Sequence, residues 1–324
     1  MPLVDFTDPD TRSYRPDLPV PADLDAFWAA TLADARSHDL DATFEPVDNA
    51  LATVDTFDVT FAGFGGSPIR GWLHLPAGRE GSLPAVVEYL GYNGGRGLPH
   101  ERVLWAVAGY AHFVMDTRGQ GSGWAAGVTP DPQTTGEPAQ PGSLTQGILD
   151  PSTSYLRRLI TDAVRATEAV RAHPAVDPSR VAVTGASQGG ALTLAAASLA
   201  TGLVAAMPDV PWLCDFPRAI TIVDGHGYAE IARYLKVHRD RVDRVLATLS
   251  YFDMAVLGTR ARVPAVFSVG LMDEACPPST VYAAFNAYGG PREIVEYPFN
   301  GHEGGGSFHD LAKLRWLPRH LAGG

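Results

Sequence analysis

The feature that most constrains this sequence is a Gly-x-Ser-x-Gly segment at residues 185–189. It lies between a β-branched run at residues 180–184 and a strong helix-forming stretch at residues 191–199. A serine between a strand and a helix sits on a sharp, strained turn that exposes its hydroxyl group, and crowding there requires glycine on either side. The segment therefore predicts a strand–turn–helix unit in an α/β protein, with Ser187 as a candidate nucleophile.

Other parts of the chain indicate the same fold class. Short apolar runs at residues 84–90, 112–115, 263–269 and 293–297 are mostly too continuous for half-exposed strands and suit a parallel sheet buried on both faces. A helical pattern at residues 155–172 separates two groups of these runs. The alternation predicts a doubly wound, mostly parallel sheet with helices on both faces.

Four further segments complete the predicted organisation. Residues 21–38 have the spacing of an amphipathic helix, and residues 54–76 alternate around a glycine-rich turn, which predicts an antiparallel hairpin. Two segments depart from the strand–helix alternation: a Pro/Gly/Thr-rich stretch at about 121–150 and a helical insertion at about 211–259. Neither has a strand series of its own, so we predict a single domain over residues 1–324 with two excursions.

Composition excludes several classes of protein. The 324 residues include 25 basic and 36 acidic side chains, for a net charge of −11, and no basic run offers a path for phosphates. Cys214 and Cys276 are too few for a disulfide scaffold and lack zinc-site spacing. No apolar stretch approaches the roughly 18 residues of a membrane helix, and the N-terminal residues do not resemble a secretory signal. We expect a cytoplasmic protein without a nucleic-acid or membrane partner.

A serine nucleophile requires a histidine base and a carboxylate that orients it. On such a sheet they follow the serine in the order acid, then histidine, just past strand ends. Asp273 follows the run at 263–269, and His302 follows the run at 293–297. These residues are the candidate acid and base.

Each candidate has a rival. Glu274 is the alternative acid, but Asp273 comes first after the apolar run. His309 is the alternative base, although we expect it inside the following helix in a packed or surface role. Each position also has an alternative without a chemical role: Asp273 would be a turn residue, and His302 would be a loop histidine.

Two backbone N–H groups are candidates for stabilising an oxyanion. One belongs to Gln188 at the start of the predicted helix, and the other to Tyr92 in the glycine-rich loop at residues 91–97. Arg118 and Gln120 follow the neighbouring strand. We expect them to hold loops through hydrogen bonds and not to take part in bond making.

Metal and cofactor readings are weak. His302 and Glu303 lack a second histidine one helical turn on, because three glycines at residues 304–306 follow. The glycine-rich stretches at 91–95 and 119–123 have neither the Lys-Ser/Thr of a P-loop nor the spacing of a dinucleotide fingerprint. We expect no metal and no cofactor.

Three motifs in order carry a family resemblance: Arg-Gly-Gln at 118–120, Gly-Ala-Ser-Gln-Gly at 185–189 and His-Glu at 302–303. With them the chain resembles carbohydrate esterase family 7 of the α/β hydrolases, the acetyl xylan esterases and cephalosporin C deacetylases. Further similar segments span nearly the whole chain, at residues 14–16, 27–28, 147–150, 251–253, 271–273 and 276–278.

The resemblance implies a catalytic triad of Ser187, Asp273 and His302, with the N–H groups of Tyr92 and Gln188 as the oxyanion hole. Glu303 joins Arg118 and Gln120 as a supporting residue. The resemblance further implies no metal, small acetylated sugars or acetylated cephalosporins as substrates, and hexamers whose active sites face an internal cavity. The stretch at 121–150 looks like the family's interface extension, although here it is rich in Pro, Thr and Gln.

Two other functions share these residues. A serine peptidase or acyl-peptide hydrolase on the same fold would use the same triad. A hydrolase-fold binding module would carry an idle triad, but the presence of all three triad residues and both oxyanion positions argues against it.

Overall fold

The computed structural model describes residues 5, 8–133, 137–225 and 227–321. Residues 1–4 and residues 134–136 of the first excursion therefore lie outside the described residues. The described part contains nine strands: β1 Thr43–Val47, β2 Val54–Ala62, β3 Pro68–Pro76, β4 Leu83–Tyr89, β5 Ala111–Met115, β6 Val176–Ala186, β7 Leu203–Asp209, β8 Ala265–Gly270 and β9 Arg292–Tyr297.

All nine strands form one sheet in the order β1-β2-β3-β5-β4-β6-β7-β8-β9. The β1–β2, β2–β3 and β3–β5 pairs are antiparallel, and the other five pairs are parallel. The predicted hairpin is confirmed as β2 and β3, which are joined by a turn of 3-10 helix at Phe64–Gly66. The predicted mostly parallel α/β fold is confirmed as well.

Twelve α-helices lie in the described residues: α1 Asp8–Ser13, α2 Leu24–Arg36, α3 Leu104–Val107, α4 Tyr155–Arg171, α5 Gln188–Leu199, α6 Phe216–Ile222, α7 Tyr228–Val237, α8 Val242–Leu249, α9 Met254–Leu257, α10 Pro278–Ala287, α11 Gly306–Trp316 and α12 Pro318–Leu321. Helices α2, α4 and α5 confirm the three helices predicted near their positions. None of the described helices combines the length and apolar character needed to cross a membrane.

The sheet is buried on both faces, as its continuous apolar strands predict. Successive side chains of a strand point to opposite faces, so Val86 and Val87 of β4 divide between two hydrophobic clusters. Val87 packs in the larger cluster, which includes α4 and α5, whereas Val86 packs with Trp105 of α3 and Trp316 of α11. Helices therefore cover both faces of the parallel strands.

The two excursions differ in structure but share the core of the sheet. The described residues of 121–150 contain no helix or strand, and those of 211–259 contain α6, α7, α8 and α9 but no strand beyond them. Leu144 of the first excursion and Phe252 of the second both belong to the large cluster that includes the sheet. Both excursions therefore contribute side chains to the same hydrophobic cluster as the sheet.

Candidate active site

The predicted strand–turn–helix unit is present, and its turn is strained. Strand β6 ends at Ala186 and helix α5 begins at Gln188. Ser187 between them has φ 59° and ψ −118°, backbone angles that residues other than glycine rarely adopt. Its N–H donates to Asp209 O at 3.0 Å, and its carbonyl accepts from Trp212 N at 3.0 Å. The end of β7 and the residues after it thus hold Ser187 in place.

Close contact with β4 explains both glycines of the motif. A Cβ atom on Gly185 would lie 2.6 Å from the carbonyl oxygen of Tyr89, and a Cβ on Gly189 would lie 2.2 Å from the same atom. Carbon atoms do not approach a backbone oxygen so closely. Glycine at both positions therefore allows α5 to start directly against the end of β4.

Asp273 and His302 are brought together from the ends of β8 and β9. The Nδ1 atom of His302 lies 2.9 Å from Asp273 Oδ2. Asp273 is fully buried, and its Oδ1 atom also accepts from Ala275 N at 2.8 Å and Cys276 N at 2.9 Å. Since a carboxylate only accepts hydrogen bonds, Nδ1 carries the ring proton, and Nε2 is the ring nitrogen that can act as a base.

Ser187 and His302 line the same cavity, which has a volume of about 590 Å³. The thiol of Cys276 is fully buried. The Sγ atom of that thiol lies within 4.8 Å of a ring nitrogen of His302 and a carboxylate oxygen of Asp273. Ser187 and the His302–Asp273 pair therefore lie at the same cavity, and Cys276 lies beside that pair, although no signal in the sequence singles it out.

The donor atoms of Asp273, Cys276 and His302 lie within 4.8 Å of one another, close enough to share a metal ion. Burial raises the pKa of the Cys276 thiol well above its ordinary value, whereas a metal requires the thiolate. Asp273 already accepts hydrogen bonds on both oxygens. The residues fit a hydrogen-bonded acid–base pair better than a metal.

The two rival residues lie apart from this group. Glu274 is exposed to solvent, unlike its buried neighbour Asp273. His309 is buried within α11, where its Nδ1 atom lies 3.1 Å from the hydroxyl group of Tyr297. It lines a separate cavity of about 320 Å³. The packed role expected for His309 is what the structure shows.

The candidate oxyanion donors occupy the two loops that face Ser187. Tyr92 follows β4 and lines the cavity, and Gln188 is the first residue of α5. Within the described part of the chain, neither backbone N–H donates to a protein acceptor. The carbonyl of Tyr92 accepts from Trp124 Nε1 at 2.8 Å, and its hydroxyl donates to Glu230 Oε1 at 2.7 Å. Both ends of Tyr92 are therefore fixed by the excursions.

Gln120 links the two candidate oxyanion loops. Its Oε1 atom accepts from Asn93 N at 2.7 Å, next to Tyr92, and its Nε2 atom donates to Gln188 Oε1 at 2.8 Å. A second Nε2 bond reaches the hydroxyl of Tyr155 at 2.9 Å. One amide group therefore sets the spacing between these loops.

Arg118 lies deeper than Gln120 and does not line the cavity. Its guanidinium is fully buried and donates to Asp162 Oδ1 at 2.8 Å and Asp131 Oδ1 at 3.1 Å. Burial alone would lower the pKa of Arg118, but the Asp162 and Asp131 carboxylates raise it above its ordinary value. Arg118 is therefore a permanent cation that joins α4 to the 121–150 excursion.

Glu303 is exposed and braces the loop that carries His302. Its carboxylate accepts from Asn300 Nδ2 at 2.7 Å and from Gly301 N at 3.0 Å. The bond from Asn300 is the main reason that the pKa of Glu303 is lowered. Its contacts are those of a loop brace.

Sequence reasoning missed most of the cavity wall. Its large side chains come from β4, the segment after it and the two excursions: Glu88, Tyr92, Arg102, Trp124, Trp212, Glu230 and Arg233. Of these side chains, only Tyr92 belongs to a residue that the sequence patterns indicate. The others lie in segments without a recognisable motif, so their convergence depends on the packing of the excursions.

Comparison with known proteins decides the family. The model of the family described as acetyl xylan esterase (AXE1) matches residues 1–320. The chain belongs to the acetyl xylan esterase family. The resemblance drawn from the three short motifs is thereby confirmed, and the family is one of carboxylic ester hydrolases.

Solved structures support the assignment over the full length. The acetyl xylan esterase from Paenibacillus sp. R4 is 38% identical, with a TM-score of 0.92 over 99% of this chain and 100% of that one. Acetyl xylan esterase 1 from Thermoanaerobacterium sp. JW/SL YS485 is 31% identical, with a TM-score of 0.88 over 98% of this chain and 100% of that one.

A curated relative is longer than this chain. Acetyl esterase Axe7A of Xylanibacter ruminicola is 28% identical over 294 residues, which cover 87% of this chain and 63% of that protein. The chain therefore spans less than two thirds of the length of this relative.

Proposed function

We propose that this chain is a serine esterase that removes acetyl groups from acetylated xylo-oligosaccharides and related small acetyl esters, including cephalosporin C. The observation that carries the proposal is the hydrogen bond between His302 Nδ1 and the buried Asp273, beside a strained Ser187 in the same cavity. Membership of the acetyl xylan esterase family supports the acetyl specificity and the carbohydrate substrate.

In the proposed mechanism, Nε2 of His302 takes the proton of Ser187 as its Oγ attacks the acetyl carbonyl carbon. Asp273 holds the ring and stabilises the imidazolium ion. The N–H groups of Tyr92 and Gln188 bind the oxyanion, each contributing about 3 kcal/mol to the lowering of the barrier. His302 then protonates the departing sugar hydroxyl, which leaves an acetyl ester on Ser187. Water, deprotonated by His302, releases acetate and restores the serine.

Replacement of the nucleophile tests this proposal. We expect Ser187→Ala to abolish acetate release from acetylated xylo-oligosaccharides and from p-nitrophenyl acetate, because no acyl-enzyme can form. During turnover of the unchanged protein, mass spectrometry should detect one acetyl group on Ser187.

A matched control is Ser198→Ala in the same helix, α5, where the hydroxyl donates to Leu194 O at 2.7 Å. This variant should retain full activity. Acetyl esterase activity that survives Ser187→Ala, or its absence from the unchanged protein, would show that the proposal is wrong.

A serine peptidase or acyl-peptide hydrolase would use the same acid–base pair, so the geometry of the triad does not separate it from an esterase. The substrates do. We expect rapid hydrolysis of p-nitrophenyl acetate, slower hydrolysis of longer acyl esters and none of a peptide anilide. Cleavage of the anilide without acetyl preference would favour the peptidase.

We further propose that the protein assembles as a homo-oligomer, a hexamer by resemblance to carbohydrate esterase family 7. Two phenylalanines close in sequence to His302 support an interface there, because Phe299 is 93% exposed and Phe308 is 83% exposed. Light scattering on the purified protein tests the assembly, and a monomeric mass would overturn it.

A further inference from the structure

The mouth of the active-site cavity presents an aromatic surface beside two arginines. Trp124, which is 54% exposed, lines the cavity together with Arg102 and Arg233. The Arg102 guanidinium lies 5.4 Å from the centre of the Trp124 ring. Aromatic faces of this kind are amphipathic enough to contact a sugar ring, and guanidinium groups recognise carboxylates in a planar, paired geometry.

Arg102 is one of the two arginines in this wall, and its charge is balanced by a carboxylate of the protein. Arg102 donates to Glu88 Oε1 at 2.5 Å, and His112 contacts the other oxygen of Glu88 at 2.8 Å. The positive charge of Arg102 is therefore already paired.

Glu230 is likewise committed to the protein. One of its oxygens accepts from the hydroxyl of Tyr92 at 2.7 Å, and the other accepts from Leu144 N at 3.0 Å. Burial raises the pKa of Glu230, while the nearby Arg233 acts in the opposite direction. The carboxylate of Glu230 faces inward to the excursion backbone.

Arg233 differs from Arg102 and Glu230 in having no such partner among the described residues. It lies in the middle of α7, is exposed and lines the cavity. Across the residues that the structure describes, it has no hydrogen bond and no carboxylate within 4.0 Å. A guanidinium with no carboxylate within 4.0 Å at the opening of a cavity can bind an anionic group on a ligand.

We propose that Arg233 is a specificity residue that binds the carboxylate of an acidic acetylated sugar, such as an acetylated xylo-oligosaccharide with a uronic acid branch, while the sugar chain lies against Trp124. The inference rests on the proposed acetyl esterase function and names a substrate class for the same site. The cavity volume of about 590 Å³ is within the usual range for a ligand site.

The test compares two substrate sets of equal acetylation, neutral xylo-oligosaccharides and the same oligosaccharides with a glucuronic acid branch. In the unchanged protein, kcat/KM should be higher for the acidic set. Arg233→Gln should raise KM for the acidic set by about threefold to fivefold, as expected for an exposed ion pair. The change in KM for the neutral set should be smaller, so the ratio of acidic to neutral kcat/KM should fall.

Two variants and a salt series separate this role from a structural one. Arg233→Lys should recover part of the preference, because the charge is kept but the paired geometry is lost. Lys236→Gln removes an exposed charge one turn further along α7, outside the cavity lining, and should change nothing. The preference of the unchanged protein should also fade in roughly 1 M salt, where the Debye length is about 3 Å.

The inference fails if Arg233→Gln leaves the ratio of acidic to neutral kcat/KM unchanged, or lowers activity on both sets equally. A rise in KM for cephalosporin C alone would show that the carboxylate recognised belongs to the antibiotic, and the sugar assignment would then be wrong. Absence of Ser187-dependent acetate release from the neutral set would instead overturn the proposed function, so the two failures are distinguishable.

Discussion

Individual residues of the site owe their roles to buried neighbours. Asp273 is fully buried yet accepts two backbone N–H bonds besides the contact with His302, and these bonds compensate the loss of hydration of its charge. The Ser187 backbone is held strained by bonds to Asp209 and Trp212. Short sequence motifs identify the reacting groups, whereas the surrounding hydrogen bonds orient those groups.

Asp273→Asn tests the acid at the level of one residue. The amide cannot stabilise the imidazolium ion, and its N–H₂ group would favour the wrong tautomer of His302. We expect kcat for p-nitrophenyl acetate to fall by about 10⁴-fold with little change in KM.

The rival acid provides the control for this change. Glu274 is exposed one position along the chain, and Glu274→Gln should retain activity close to that of the unchanged protein. A large loss of activity in Glu274→Gln, or a small one in Asp273→Asn, would assign the role of the acid to Glu274 instead.

Strands and helices contribute to the site mainly through the residues at their ends. Apolar runs predict strands β4, β5, β6, β8 and β9, and the candidate site residues follow the carboxyl ends of these strands. Strand β7 was not predicted, because it is rich in alanine and has Pro208 near its end. Yet β7 lies between β6 and β8 and ends at Asp209, whose carbonyl accepts from Ser187 N. Neighbouring strands supply the stability that its own sequence lacks.

Gly189→Ala tests the contact between α5 and β4. The added Cβ would lie 2.2 Å from the Tyr89 carbonyl, so the helix must move away from the strand. We expect a loss of about 2–3 kcal/mol in the free energy of unfolding, measured by urea denaturation, together with reduced kcat.

The same substitution at a free position is the control. A Cβ on Gly225 meets nothing within 4 Å, so Gly225→Ala should retain the stability and activity of the unchanged protein. Equal stability of the Gly189→Ala and Gly225→Ala variants would contradict the crowding that explains the motif.

At the scale of the whole molecule, charged groups are built into the interior beside the sheet. Glu88 of β4 contacts both Arg102 and His112 and lines both the active-site cavity and the second cavity. Burial acts to raise the pKa of Glu88, but the His112 hydrogen bond and the charge of Arg102 outweigh it and lower the pKa to about 2. The folded protein therefore holds Glu88 ionised.

This shift predicts a pH dependence of stability. Because the pKa of Glu88 is depressed on folding, its contribution is present above pH about 4.5, its ordinary pKa, and is lost as the pH falls toward about 2. We expect Glu88→Gln to be less stable than the unchanged protein at pH 7, with the two urea midpoints converging as the pH falls below 4.5.

Glu80→Gln, an exposed change outside both cavities, should follow the curve of the unchanged protein throughout. A difference between Glu88→Gln and the unchanged protein that stays constant from pH 7 to pH 3 would show that the charge of Glu88 does not stabilise the fold.

By itself, the sequence determined the fold class, the family and the candidate triad. Apolar runs and glycine spacing reflect local backbone preferences and burial, and these are properties of short segments. Only the tertiary structure decided the strand order, the place of β7, the position of Cys276 beside Asp273 and His302, and the cavity wall with Arg233. Those features depend on contacts between segments far apart in the chain, whose energies no local pattern records.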